Sequence, residues 1–117
     1  MNKRTIGSDY ENKACEFLET QGFSVLERNF RCRQGEIDIV AREGRYLVFV
    51  EVKYRATSAR GTPISAVNYR KQRKISRIAL YYLTKNAYPE TTPCRFDVVG
   101  ISPGEVVHIR NAFDYVP

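Results

Sequence analysis

Cysteine and histidine are scarce in this chain of 117 residues, and their scarcity removes several kinds of chemistry. The three cysteines, Cys15, Cys32 and Cys94, are odd in number and widely spaced, with no CxxC and no Cys/His cluster. A zinc site is therefore not expected. A disulfide scaffold fits poorly too, and a reducing cytoplasm is the simpler expectation. The one histidine, His108, lies in the alternating run Val106-Val107-His108-Ile109-Arg110, where a polar position on a strand accounts for it. No stretch approaches the ~20 apolar residues of a membrane span, so no membrane partner is expected. Met1-Asn2-Lys3-Arg4 is basic, but no apolar run follows it, which is not the form of a signal peptide. Repeats, low-complexity tracts and linkers are missing as well, so residues 1–117 read as one domain. There is no RNA-recognition aromatic motif, helix-turn-helix signature or zinc finger, and sequence-specific base reading is not indicated.

What is present is positive charge and core material. The formal net charge is +6 and the pI about 9.4. That balance suits a polyanionic partner, because basic side chains displace counterions condensed on phosphates. Hydrophobic residues at 43% supply a compact core and argue against wholesale disorder.

A first helix is expected from Ser8 to about Gln21, capped by Ser8 and ended by Gly22. At ~100° per residue, Phe17, Tyr10, Gln21, Ala14, Leu18 and Cys15 share one side, with Glu11 between Leu18 and Cys15. Strands follow at Phe23 to Phe30 and, opened by Gly35, at Glu36 to Ala41. Glu43-Gly44 signals a turn. The run from Tyr46 to Tyr54 is the strongest strand signal, apolar on both faces for most of its length, as in a central strand. A polar loop over Ala56 to Pro63 precedes a long helix from Ser65 to about Asn86. Its apolar stripe is Ile75, Ile78, Ala79, Tyr82 and Leu83, and its first half is dense in positive charge. Strands at Arg95 to Ile101 and Glu105 to Ile109 flank the turn Ser102-Pro103-Gly104. The order α-β-β-β-α-β-β, with a helix between the third and fourth strands, predicts a mixed central sheet flanked by helices.

Two carboxylates and a lysine interrupt these apolar strands. Glu51 and Lys53 are two apart and leave the same sheet face. With Glu43-Gly44 as the turn residues, Asp38 faces Phe49, shares that sheet face and is a diagonal neighbour of Glu51. A one-residue slip would send Asp38 to the other face. Two neighbouring carboxylates on a half-buried sheet repel and are desolvated. A hard divalent cation, Mg2+ or Mn2+, offsets both effects, and two carboxylates plus a substrate phosphate suffice to hold magnesium. Lys53 beside them suits positioning or deprotonating a water, or stabilising a charged transition state. The implied chemistry is phosphodiester hydrolysis.

These residues also meet a known pattern. Gly35-Glu36-Ile37-Asp38, twelve residues, then Glu51-Val52-Lys53 resembles the split D…ExK motif of the restriction-endonuclease-like superfamily. Arg28-Asn29-Phe30-Arg31, Gly35 to Val40, Val48 to Arg55 and Arg95-Phe96-Asp97-Val98-Val99 resemble the YraN family of small bacterial proteins, described as endonuclease-like. The plan is also similar to that of archaeal Holliday-junction resolvases. The resemblance, from Gly7 to about Ile101, implies a restriction-endonuclease-like fold and a metal-dependent endonuclease acting on DNA, branched or damaged DNA included. It implies metal ligands at Asp38 and Glu51, a catalytic Lys53, a further metal ligand at Glu11, and a helix side chain at Lys71 or Gln72 that joins the site. Junction-cutting relatives act as dimers, so a homodimer is one implied arrangement.

Plainer roles compete. Ser8-Asp9-Tyr10-Glu11 has the S-x-x-E form of a capping box, which would turn Glu11 back to the helix start. Glu36 reads as a solvated carboxylate, and Asp97 as an ordinary hydrogen-bonding group or a buttress from the next strand. For Asp38, Glu51 and Lys53 the competing role is an ordinary cross-strand salt-bridge network. Arg28, Arg31, Arg55, Lys71 and Lys74 are the expected phosphate contacts, with Arg55 continuing the Glu51–Lys53 face. The rival to an endonuclease is a non-catalytic nucleic-acid-binding or adaptor domain that keeps the fold.

Overall fold

A computed structural model describes residues 3–54 and 67–117. Among the described residues, seven elements appear in the expected order: α1 (Lys3–Thr20), β1 (Ser24–Cys32), β2 (Gly35–Glu43), β3 (Tyr46–Tyr54), α2 (Tyr69–Lys85), β4 (Cys94–Ser102) and β5 (Glu105–Phe113). The strands form one sheet in the order β1-β2-β3-β4-β5. β3 is central, as its two apolar faces require, and pairs parallel to β4 across the α2 connection. The other three pairings are antiparallel.

The helices cover opposite faces. Ile75, Ile78, Ala79, Tyr82 and Leu83 of α2 pack with Phe30, Val40, Leu47, Phe49 and Phe96. Ala14, Cys15 and Leu18 of α1 pack with Ile39, Ala41, Val48, Val50, Val99 and Ile101. Fully burying one Leu- or Ile-sized side chain is worth about 1.5–3 kcal/mol, against about 0–1 for an exposed ion pair. The apolar stripes therefore seat the helices, and the charges they carry are positioned as a consequence.

Element ends differ from expectation in instructive ways. α1 begins at Lys3, so Ser8 lies inside the helix rather than at its start. Its other end is as expected. Gly22 takes φ +94°, the Phe23 N–H donates to the Leu18 carbonyl and the Gly22 N–H to that of Glu19, the double bond of a glycine-terminated helix. Residues 67 and 68 precede α2 rather than belonging to it. Asn68 is its cap, accepting from the Lys71 N–H at 2.9 Å. Ser65 and the polar loop lie outside the described residues.

The β2–β3 turn is Gly44-Arg45 rather than Glu43-Gly44, because the first position of this two-residue turn needs φ > 0 and Gly44 supplies +58°. Moving the turn by one residue moves every partner by two. Val40, not Asp38, faces Phe49, and Ile39 faces Val50. A shift of two preserves which face each residue occupies.

On the α1 side, Asp97 is fully buried in a polar network. Arg95 donates to it twice, at 2.8 and 2.9 Å, His108 Nε2 lies at 2.8 Å and the Asn111 N–H donates at 3.0 Å. Arg95 continues to Glu43 at 2.8 Å and lies over the rings of Phe23 and Tyr46. Asp97 thus has the ordinary hydrogen-bonding role, and His108 is its strand-borne partner.

Candidate active site

The site forms where β2 and β3 part. Regular pairing between them ends at Ile39↔Val50. On β1, Arg28 pairs with Ile39 and Phe30 with Ile37, leaving Asn29 opposite Asp38 without a ladder pair. Asn29 has φ +53°, a conformation that asparagine tolerates better than most residues. The alternation of β2 breaks at the same level: Ile37 packs on the α2 side and Ile39 on the α1 side, although they are two apart. Asp38 sits at that twist. Its carboxylate reaches along the sheet and accepts the Val52 N–H at 2.7 Å, a donor that β2 no longer pairs. Strict alternation, which puts Asp38 squarely on the Glu51–Lys53 face, therefore gives way to a carboxylate in the seam between the strands.

Glu51 is 6% exposed. Lys53 Nζ lies 3.4 Å and Lys71 Nζ 3.6 Å from its Oε1. Asp38 responds to both burial and company. Desolvation, and then the negative charge of Glu51, push its carboxyl up to about 7, outweighing the Val52 hydrogen bond. Glu11 and Glu36 push in the same direction. Neither group alone would be unusual; a half-buried carboxyl driven toward neutrality beside a buried glutamate is.

Glu11 approaches from α1. It accepts from Asn29 Nδ2 at 2.8 Å and lies 3.7 Å from an Arg28 nitrogen. Tyr10, its neighbour, stacks on Tyr54 with ring centroids 4.0 Å apart, tying this turn of α1 to the end of β3. Of the two helix candidates, Lys71 reaches Glu51, whereas Gln72 turns back and donates to the Val67 carbonyl at 3.0 Å. Arg31 is occupied with Glu36 at 2.8 Å, the surface role expected for that glutamate. Lys74 runs over Gly35, where a Cβ would come within 2.5 Å of its Cε. Gly35, at φ +143°, thus provides both the backbone conformation and the room. Arg55 lies outside the described residues. The residue that sequence reasoning missed is Asn29, and its signal is an asparagine inside a strand, where that residue is depleted.

Among the described residues, no three His, Cys, Asp or Glu side chains are gathered around one point. The donor set at the seam is two carboxylates, all oxygen and partly or wholly buried, and that chemistry fits a hard divalent cation better than a soft one.

Fold and site together define a small α/β protein with a mixed five-stranded sheet and an acid pair, Glu51 buried and Asp38 half-buried, with Lys53 and Lys71 beside Glu51. The chain belongs to the uncharacterised protein family UPF0102, whose model matches residues 10–101, a span that includes Glu11, Asp38, Glu51, Lys53 and Lys71. It is 54% identical to a UPF0102 protein of Lachnoclostridium phytofermentans, with 97% of each chain covered. It is 43% identical to one of Thermodesulfovibrio yellowstonii (97% and 99% covered) and 48% identical to one of Geotalea daltonii (97% and 92% covered). The family kinship read from the motifs is therefore shown.

Proposed function

We propose that this protein is a magnesium- or manganese-dependent endonuclease of the restriction-endonuclease-like superfamily, hydrolysing phosphodiester bonds of DNA. The observation that carries the reading is the acid pair: Glu51 buried, Asp38 beside it with its carboxyl pushed up to about 7 by burial and by Glu51. A divalent cation between the two carboxylates would relieve the desolvation and mutual repulsion that push Asp38 up. Asp38 and Glu51 would hold the ion, with Glu11 near enough to influence Asp38. The chemistry that such an ion supplies is charge neutralisation at the phosphate and acidification of water.

The protein's own contribution is arrangement and charge. The Val52 N–H fixes one oxygen of Asp38, leaving the other to act. Lys53 and Lys71, drawn in by Glu51, put two ammonium groups where a phosphate would gather negative charge. Lys53 is the residue we assign to stabilising that charge or positioning the attacking water. The net charge of +6 supports a polyanionic substrate.

Incubation with plasmid, flap and four-way-junction DNA, with and without magnesium or manganese, tests the proposal. Metal-dependent cleavage is expected, lowered roughly 10²–10³-fold in Lys53→Ala and at least as far in Glu51→Gln. Cleavage that both variants retain would identify a contaminant and sink the reading.

One observation favours a second reading. Glu51 already has two lysine partners, so the same residues can be held as a salt-bridge network in a non-catalytic nucleic-acid-binding domain. No nicking under any metal condition, with DNA binding indifferent to both metal and Asp38→Asn, would select it.

A further inference from the structure

Among the described elements, the most one-sided charge lies along α2. Residues 69–85 include Arg70, Lys71, Arg73, Lys74, Arg77 and Lys85 and not one acid. Like charges three and four apart destabilise a helix, so the row Arg70, Arg73, Lys74, Arg77 is not there to support α2. These four side chains, with Gln34 from the tip of the β1–β2 hairpin, line a hollow of about 200 Å³. It adjoins a second hollow of about 410 Å³ that shares Gln34 and Arg77 and adds Leu80, Tyr81 and Thr84. Leu80 is 40% and Tyr81 44% exposed. The Tyr81 ring is tilted 37° against that of Phe30, with centroids 6.1 Å apart, which holds it in place at the surface.

The result is a continuous groove, cationic at one end and aromatic at the other. We infer that it takes a single-stranded stretch of nucleic acid, with phosphates on Arg70, Arg73, Lys74 and Arg77 and a base against Tyr81 and Leu80. Successive phosphates track a positive groove, while a base needs a free face to stack on an aromatic ring. A duplex satisfies the cations and leaves the tyrosine without a partner, because its bases are already stacked on one another. The pairing of both features in one groove favours the single strand. This deepens the proposed nuclease reading by naming the form of substrate, a DNA with an unpaired arm, and rests on that reading for the identity of the polyanion.

Fluorescence anisotropy with a labelled oligothymidylate and a duplex of equal length, in EDTA, is the test. The single strand is expected to bind more tightly than the duplex. Tyr81→Ala should weaken single-strand binding roughly 5- to 150-fold and leave duplex binding unchanged. Tyr81→Phe, which keeps the ring and its packing on Phe30, should bind like wild type, separating stacking from folding. The double variant Arg73→Ala/Arg77→Ala should weaken both ligands. Equal or tighter duplex binding, or a Tyr81→Ala protein that binds as Tyr81→Phe does, overturns the groove. Cleavage is scored separately, with magnesium, in wild type against Glu51→Gln. Cleavage with a failed groove removes this inference alone; a working groove without cleavage removes the nuclease and leaves a single-strand-binding protein.

Discussion

Asp38 makes stability depend on pH in the less common direction. An unfolded aspartate ionises near pH 4, whereas the folded one is pushed up to about 7. Between those values the folded chain holds more protons than the unfolded one, so stability falls as pH rises through that window and levels off above it. Thermal unfolding followed from pH 4 to 8 should show this fall in metal-free wild type and a flatter profile in Asp38→Asn. Added magnesium at neutral pH should raise the wild-type Tm and leave that of Asp38→Asn unmoved. Asp97 behaves oppositely. Burial alone would raise it, but the bonds from His108, Arg95 and Asn111 prevail and hold its carboxyl below the usual range. Its contribution is present above about pH 4 and is lost as pH falls through the lower folded value. Asp97→Asn leaves Arg95 without its buried partner and should cost about 3–5 kcal/mol in denaturant unfolding at neutral pH, more than any single exposed ion pair here.

At the scale of elements, the helix stripes and the strand alternation were readable because period 3.6 and period 2 leave a direct mark on where apolar residues fall. Ile75, Ile78, Ala79, Tyr82 and Leu83 were legible as a buried stripe in this way and are buried. Element ends were less so. α1 runs five residues further toward the N-terminus than its serine suggests, since Ser8 has no need to cap a helix that simply continues through it. α2 begins behind Asn68, which caps it, rather than at the earlier Ser65. Asn68→Ala removes the acceptor for the Lys71 N–H and should lower stability by about 1 kcal/mol, measured by urea unfolding. Because Lys71 sits in that first turn, the same variant is expected to lower cleavage at least modestly. The hairpin shows how small the margin is. The turn lies one residue later, which puts Gly44 where φ is positive, and the regularly paired residues keep their faces because partners move by two.

For the molecule as a whole, charge is divided rather than uniform: α2 has no acid, while at the seam Glu51 is buried and paired with Lys53 and Lys71. Four groove cations that each release counterions predict that log K for oligothymidylate falls with log salt at a slope of roughly −3, dropping to roughly −1.5 in Arg73→Ala/Arg77→Ala. Titrations at several salt concentrations measure this directly, and a slope unchanged in the variant would place the contact elsewhere. No helix among the described residues is long and apolar enough to cross a membrane, in keeping with the composition.

The amino-acid order alone determined the succession of helices and strands, the central place of β3 and the common face of Glu51 and Lys53, because these follow from periodicities within a few residues of one another. The meeting of Asp38 with Val52, Glu51 with Lys71 and Glu11 with Asn29 was decided only in three dimensions. Each joins segments far apart in the chain, and between them they depend on a left-handed asparagine, a parted strand pair and the seating of two helices. No local pattern records these features, since they arise from how whole elements pack and twist against one another.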